Sequence, residues 1–125
     1  MGCDPLNLMK LLIVDDNSEM RRLIINILGN LATSVNECGD GDEAVAAYAK
    51  CSPDWVLMDV KMPKVDGITA TRQIKTAFPT ARVMIVTDYD NRNLREAALT
   101  AGAEHYVLKE DLLLMRRILQ EHPTN

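Results

Sequence analysis

No apolar stretch in this chain approaches the ~20 residues needed to cross a bilayer, so a membrane span is excluded. The opening residues Met1–Lys10 lack a basic segment followed by a long apolar core, and so do not read as a secretory signal. The cytoplasm is the expected compartment. Positive charge is also scarce: 14 Lys and Arg stand against 18 Asp and Glu, a formal net charge of −4. A surface that grips nucleic-acid phosphates needs a basic patch. The nearest things to one, Arg21-Arg22 and Arg116-Arg117, are short pairs that suit solvated helix faces. Direct nucleic-acid binding by this chain is not expected. Cysteine is equally sparse. Cys3, Cys38 and Cys51 form no CxxC or metal spacing and read as incidental or structural thiols. His105 and His122 stand alone, with no partner at metal-ligand spacing. Long linkers, low-complexity stretches and solenoid repeats are missing too.

What remains is a chain of 125 residues, the length of one ordinary domain. Its 47% apolar and 26% charged residues are those of a globular protein. Unbroken apolar runs bounded by turn residues suit parallel strands buried on both faces. Such runs are Lys10–Val14, Trp55–Met58, Val83–Val86 and the shorter Tyr106–Leu108. Thr33–Cys38 carries Ser34, Asn36 and Glu37 and reads as an edge strand. Helical spacing lies between them. Met20, Leu23, Ile24, Ile27 and Leu28 form one stripe ended by Gly29. Ala44, Val45, Tyr48 and Ala49 form a second. Ala70, Thr71, Ile74, Ala77 and Phe78 form a third, closed by Pro79. Leu94, Ala97, Ala98 and Ala101 form a fourth, closed by Gly102, and Leu112–Leu119 is apolar on more than one face. Five βα units predict an α/β fold: a single doubly wound parallel sheet with helices on both sides. The domain is expected over residues 9–120, with 1–8 and 121–125 as flexible tails.

Polar residues fall at one end of these strands. Asp15 and Asp16 follow the first, Asp59 follows the third, Thr87 closes the fourth and Lys109 closes the fifth. Open parallel sheets bind ligands at the carboxyl ends of their strands. Each group alone has a plainer role: a helix cap for the Asp pair, a turn for Asp59 leading to Pro63 and Gly67, a strand end for Thr87, a solvated surface for Lys109. Together they make chemical sense. Three converging carboxylates repel one another, and a divalent cation relieves the repulsion. Oxygen ligands with room for water suit Mg²⁺. An ammonium and a hydroxyl nearby suit phosphoryl oxygens, which is the inventory of phosphoryl transfer.

Ile13-Val14-Asp15-Asp16-Asn17, Met58-Asp59-Val60-Lys61-Met62-Pro63 with Asp66-Gly67, Val86-Thr87, and Ala101-Gly102-Ala103 leading to Tyr106-Val107-Leu108-Lys109 resemble the receiver domains of bacterial two-component response regulators. The resemblance covers about residues 9–120 and implies the flavodoxin-like strand order 2-1-3-4-5. It implies that Asp59 attacks phosphorus and becomes an aspartyl phosphate, with a sensor histidine kinase or phosphotransfer protein as donor. Asp16 and Asp59 would then coordinate Mg²⁺ directly, the backbone carbonyl of Lys61 would be a third ligand, and Asp15 would act largely through water. Lys109 would pair with a phosphoryl oxygen. Thr87 would donate its hydroxyl to the phosphoryl group and Tyr106 would turn inward behind it. The face formed by the fourth helix, fifth strand and fifth helix would report the change to an output domain or effector. In relatives the lifetime of the phosphorylated state depends on positions matching Lys61 and Tyr89.

Two departures bear on this. Thr87 is followed by Asp88 where relatives commonly have a small residue; its carboxylate either slows phosphorylation or points harmlessly to solvent. Lys109 is followed by Glu110 rather than proline, which leaves the geometry of that peptide open, since a non-proline cis bond costs ~2.5–4 kcal/mol. A lysine followed by an acidic residue occurs in relatives joined to a DNA-binding output domain. The run Leu112–Met115 fits either phosphorylation-linked homodimerisation or core burial. Met20, Arg21 and Arg22 fit either kinase contact or ordinary core and surface roles.

Three rival readings stand beside the switch. A haloacid-dehalogenase-type phosphatase needs a second Asp two positions after the nucleophile, where this chain has Lys61. A flavodoxin-like electron carrier needs a Ser/Thr/Gly-rich loop where this chain has Asp15-Asp16. A receiver-like module that works without phosphorylation is the third. The switch itself would catalyse its own phosphorylation and dephosphorylation without being a conventional turnover enzyme. Asp40-Gly41-Asp42 and Asp88-Tyr89-Asp90 do not continue as calcium loops and read as ordinary loops.

Overall fold

A computed structural model describes residues 9–122. Five strands alternate with five helices: β1 (Lys10–Val14), α1 (Ser18–Leu28), β2 (Ser34–Cys38), α2 (Ala44–Cys51), β3 (Trp55–Met58), α3 (Gly67–Ala77), β4 (Val83–Thr87), α4 (Arg92–Ala101), β5 (His105–Leu108) and α5 (Leu112–Glu121). All strands are parallel, in the order β2-β1-β3-β4-β5.

The alternation of side chains across a strand explains why β1, β3 and β4 read as unbroken apolar runs. Leu12, Val14, Val56, Met58, Val83 and Ile85 pack on one face with α2, α3 and α4. Leu11, Ile13, Leu57, Met84 and Val86 pack on the other with α1 and α5. Both faces are covered, so neither parity can be polar. Among the described residues β2 pairs only with β1, and its Ser34, Asn36 and Glu37 are exposed, as an edge position allows. β4 extends one residue beyond the expected Val86 to Thr87, and β5 begins one residue earlier, at His105. Four of the five helix starts are set by side-chain caps: Asn17, Asp66, Asn91 and Asp111 each accept a backbone N–H from the first turn.

The expected tail from residue 121 is corrected at its start. Glu121 is helical, and the His122 carbonyl accepts the indole N–H of Trp55 (2.8 Å) and a guanidinium N–H of Arg82 (3.3 Å). A buried indole N–H needs an acceptor, and this carbonyl supplies it. The remaining expected tail residues, 1–8 and 123–125, lie outside the described residues. On α5, Leu112 and Met115 are buried against the sheet while Leu113 is 72% exposed, so the run is divided between core and surface. Among the described residues no peptide bond is cis, so the bond from Lys109 to Glu110 is trans; Lys109–Asp111 forms a 3₁₀ turn leading into α5.

Candidate functional site

The acidic groups meet because two neighbouring strands end in register. Val14 pairs with Met58, and each strand adds one further ladder bond: the Asp59 amide donates to the Val14 carbonyl (2.9 Å) and the Asp15 amide to the Cys38 carbonyl (3.1 Å). Asp15 and Asp59 therefore leave adjacent strands side by side. Carboxylate oxygens of Asp15, Asp16 and Asp59 all lie within 4.8 Å of one another. Asp15 and Asp59 are buried and Asp16 is exposed.

Lys109 reaches the same place from β5. Its Nζ lies 2.9 Å from an Asp15 carboxylate oxygen and 3.4 Å from one of Asp59. Burial pushes the Lys109 ammonium down, but the charges of Asp15, Asp59 and Asp88 outweigh it and hold the ammonium protonated. Asp59 moves the other way. Burial, then the Asp15 charge, raises its carboxyl to about 6 against the pull of Lys109 and of the Val60 amide, which donates to Oδ1 at 2.8 Å. One lysine is not enough for three carboxylates. The cluster carries an unrelieved negative charge on hard oxygen donors, which fits a small divalent cation.

The remaining expected residues surround this cluster. Thr87 is fully buried at the end of β4, and its hydroxyl oxygen accepts the Tyr89 amide (3.3 Å). Tyr106 is buried too. Its hydroxyl donates to the Tyr89 carbonyl (2.6 Å) and the Arg95 guanidinium stacks 4.6 Å from its ring, so the ring points into the protein rather than to solvent. Lys61 is exposed, with its Nζ 5.3 Å from the centre of the Tyr89 ring. Asp88 is also exposed. The Cys38 thiol is pushed up to about 11, mainly by burial, and Cys51 is raised for the same reason; neither is poised as a thiolate.

Two supports escaped sequence reading. Asp40, a loop residue by sequence, is buried, and its carboxylate accepts the amides of Lys64 (3.0 Å), Val65 (2.9 Å) and Asp42 (3.4 Å). It ties the loop after β2 to the loop that follows Asp59. Burial pushes this carboxyl up, but the amides outweigh it and the group stays below its ordinary value. Its stabilising contribution is thus complete above the unfolded value of 3.8 and is lost as pH falls through the lower folded value. Asp40→Asn is expected to destabilise the domain by about 1–2 kcal/mol at neutral pH, with urea unfolding as the measurement. An unchanged midpoint would show that the tie contributes nothing. The second support is Arg21, whose guanidinium pairs with Glu37 (2.7 Å) and donates to the Asp15 carbonyl. Sequence offered no signal for either. Asp-Gly and Arg-Arg are common surface dipeptides, and only the fold shows what they touch.

A doubly wound parallel sheet with three carboxylates and an ammonium at its carboxyl edge places this chain among the flavodoxin-like α/β domains with an acidic edge site. The sequence model of the response regulator receiver domain matches residues 11–120, and the chain belongs to that family. It is 39% identical over 101 residues to the chemotaxis protein CheY of Bacillus subtilis, covering 80% of this chain and 84% of that protein. It is 34% identical over 106 residues to the transcriptional regulatory protein DegU of Brevibacillus brevis, covering 83% of this chain but only 45% of that protein. Among solved structures, the CheX-CheY-BeF₃-Mg²⁺ complex of Borrelia burgdorferi contains a similar chain: TM-score 0.82, 28% identity, 90% of this chain and 88% of that one. Receiver domains are signalling modules of two-component systems, not conventional turnover enzymes, and a phosphorylation switch is the general function of the family. Among the described residues no helix is long and apolar enough to cross a membrane.

Proposed function

We propose that this domain, spanning about residues 9–120, takes a phosphoryl group on Asp59 from a phosphohistidine of a sensor kinase or phosphotransfer protein. The observation that carries this reading is the cluster of Asp15, Asp16 and Asp59 carboxylates with the Lys109 ammonium against two of them. An Asp59 carboxylate oxygen attacks phosphorus as the bond to the donor imidazole breaks; the imidazole leaves with the electron pair and the product is a mixed anhydride. Asp15, Asp16, Asp59 and the Lys61 carbonyl are the groups that would hold Mg²⁺, which supplies charge neutralisation to the phosphoryl oxygens when bound. Lys109 exchanges its carboxylate partner for a phosphoryl oxygen, and the Thr87 hydroxyl gives up the Tyr89 amide to donate to another.

Those two residues connect the site to the face formed by α4, β5 and α5. Tyr89 is bonded to both Thr87 and Tyr106, so movement of Thr87 acts on the segment that holds the Tyr106 ring. On that face Leu99 and Leu113 are exposed and suit contact with an output domain, an effector or a second copy of the chain. Transcriptional regulation is the output suggested by the name of DegU, of which this chain spans less than half.

The inward Tyr106 favours a second reading, in which the reporting face is already formed and the domain binds its partner unphosphorylated. Incubation with Mg²⁺ and acetyl phosphate, followed by intact mass, separates the two. The switch predicts one phosphoryl adduct, dependent on Mg²⁺ and labile to hydroxylamine. No adduct would leave the phosphorylation-independent module standing.

A further inference from the structure

We propose that Arg21 is a positioning residue for cation binding: it pins the Asp15–Asp16 peptide to β2 and thereby sets the direction of the Asp16 carboxylate. The inference rests on the phosphoacceptor reading of the site.

Asp15 is fixed on every side. Its amide donates to Cys38, its carboxylate accepts the Asn17 amide (2.9 Å) and pairs with Lys109 (2.9 Å), and its strand is paired on both sides, with β2 and β3. Asp16 is different. It is exposed, and among the described residues no hydrogen bond or ion pair holds its carboxylate. What sets its direction is the peptide plane that joins it to Asp15, and the oxygen of that plane is the carbonyl to which Arg21 Nη1 donates. The guanidinium is in turn anchored by Glu37, through Nε at 2.7 Å, on the strand that also accepts the Asp15 amide. Asp15 is thus held to β2 twice, directly by its amide and through the Arg21–Glu37 pair by its carbonyl. The planar fork of arginine lets one side chain make both contacts at once.

Two effects of opposite sign compete. A positive charge beside the acidic cluster repels a cation, so deleting Arg21 on charge grounds alone would tighten binding. That charge is already paired with Glu37, and the geometric effect is the larger one. Groups that orient metal ligands typically contribute 10–100-fold to affinity. The sign of the change therefore separates the two.

The experiment is a MgCl₂ titration of the full chain, followed by the amide resonances of residues 15–17 and 59–61 at a temperature well below melting. Arg21→Met is expected to weaken Mg²⁺ affinity about tenfold, and Glu37→Ala to weaken it less, in the same direction. The double substitution is expected to be no worse than Arg21→Met, since Glu37 acts through Arg21. Tighter binding in Arg21→Met, or a lower melting temperature with affinity within twofold of the unmodified chain, overturns the inference. Should Arg21→Met fail to fold, Arg21→Lys keeps the charge without the fork and decides the matter: weaker binding supports positioning, and unchanged affinity overturns it. Absence of saturable Mg²⁺ binding by the unmodified chain would remove the phosphoacceptor reading itself, and this inference with it.

Discussion

Asp59→Asn is expected to abolish the phosphoryl adduct and, without divalent cation, to stabilise the domain at neutral pH by on the order of 1–3 kcal/mol. The first effect follows from the nucleophile. A carboxamide has no anionic oxygen to offer phosphorus, while the Asp15 and Asp16 carboxylates remain in place. An adduct of undiminished yield would move the acceptor role to one of those two. The second effect follows from burial and charge. The Asp59 carboxyl is raised from an ordinary value of 3.8 to about 6, so between these values the folded state binds more protons than the unfolded one. Stability contributed by the protonated form is complete below 3.8 and is lost as pH rises through about 6. Asparagine stays neutral throughout. The advantage of the variant is thus expected to be near zero at acid pH and largest above pH ~6, in parallel thermal melts across that range. Saturating Mg²⁺ should shrink it, because the cation relieves the same repulsion. A stability gap that ignores pH would contradict the assignment of the shift to this carboxyl.

Gly67→Ala is expected to destabilise the domain by about 3 kcal/mol or more and to impair the site with it. A Cβ at this position would overlap the backbone carbonyl oxygen of Asp59 and come within 2.9 Å of Met58 Cγ. The cause is the close return of the chain: α3 starts hard against the residue that carries the acceptor carboxylate, and the Gly67 amide donates to the Val60 carbonyl at 2.8 Å. A flexible side-chain tip could yield to an added methyl, but a carbonyl at the end of a central strand cannot without dragging Asp59. Gly39→Ala is the control. Nothing lies within 4 Å of its added Cβ, so its effect on stability should stay within about 0.5 kcal/mol. Equal unfolding midpoints for the two variants would show that the contact is relieved by movement elsewhere.

How much of this could be read from the chain alone varies with the distance over which the cause acts. The strands were legible because β1, β3 and β4 are apolar at both parities, a local pattern that only a doubly covered sheet requires. The candidate site was legible because each of its groups directly follows or closes such a strand. Placing Asp15, Asp59, Thr87 and Lys109 at strand ends therefore needed only the strand boundaries, and a boundary error of one residue, as at Thr87, did no harm. The supporting residues were a different matter. Asp40 meets Lys64 and Val65 across 24 and 25 residues, and Arg21 meets Glu37 across 16. Nothing local distinguishes these side chains from solvated ones.

The amino-acid sequence by itself determined the layered α/β architecture, the ends of the strands and the acidic chemistry gathered there, because periodicity and strand-end polarity are properties of neighbours along the chain. Only the tertiary structure decided which side chains hold that chemistry in place: the Asp40 tie, the Arg21 pin, the inward Tyr106 and the close pass at Gly67. Each is a contact made across space between different loops, strands or helices, and the physical reason is that such a contact leaves no periodic trace in the order of residues.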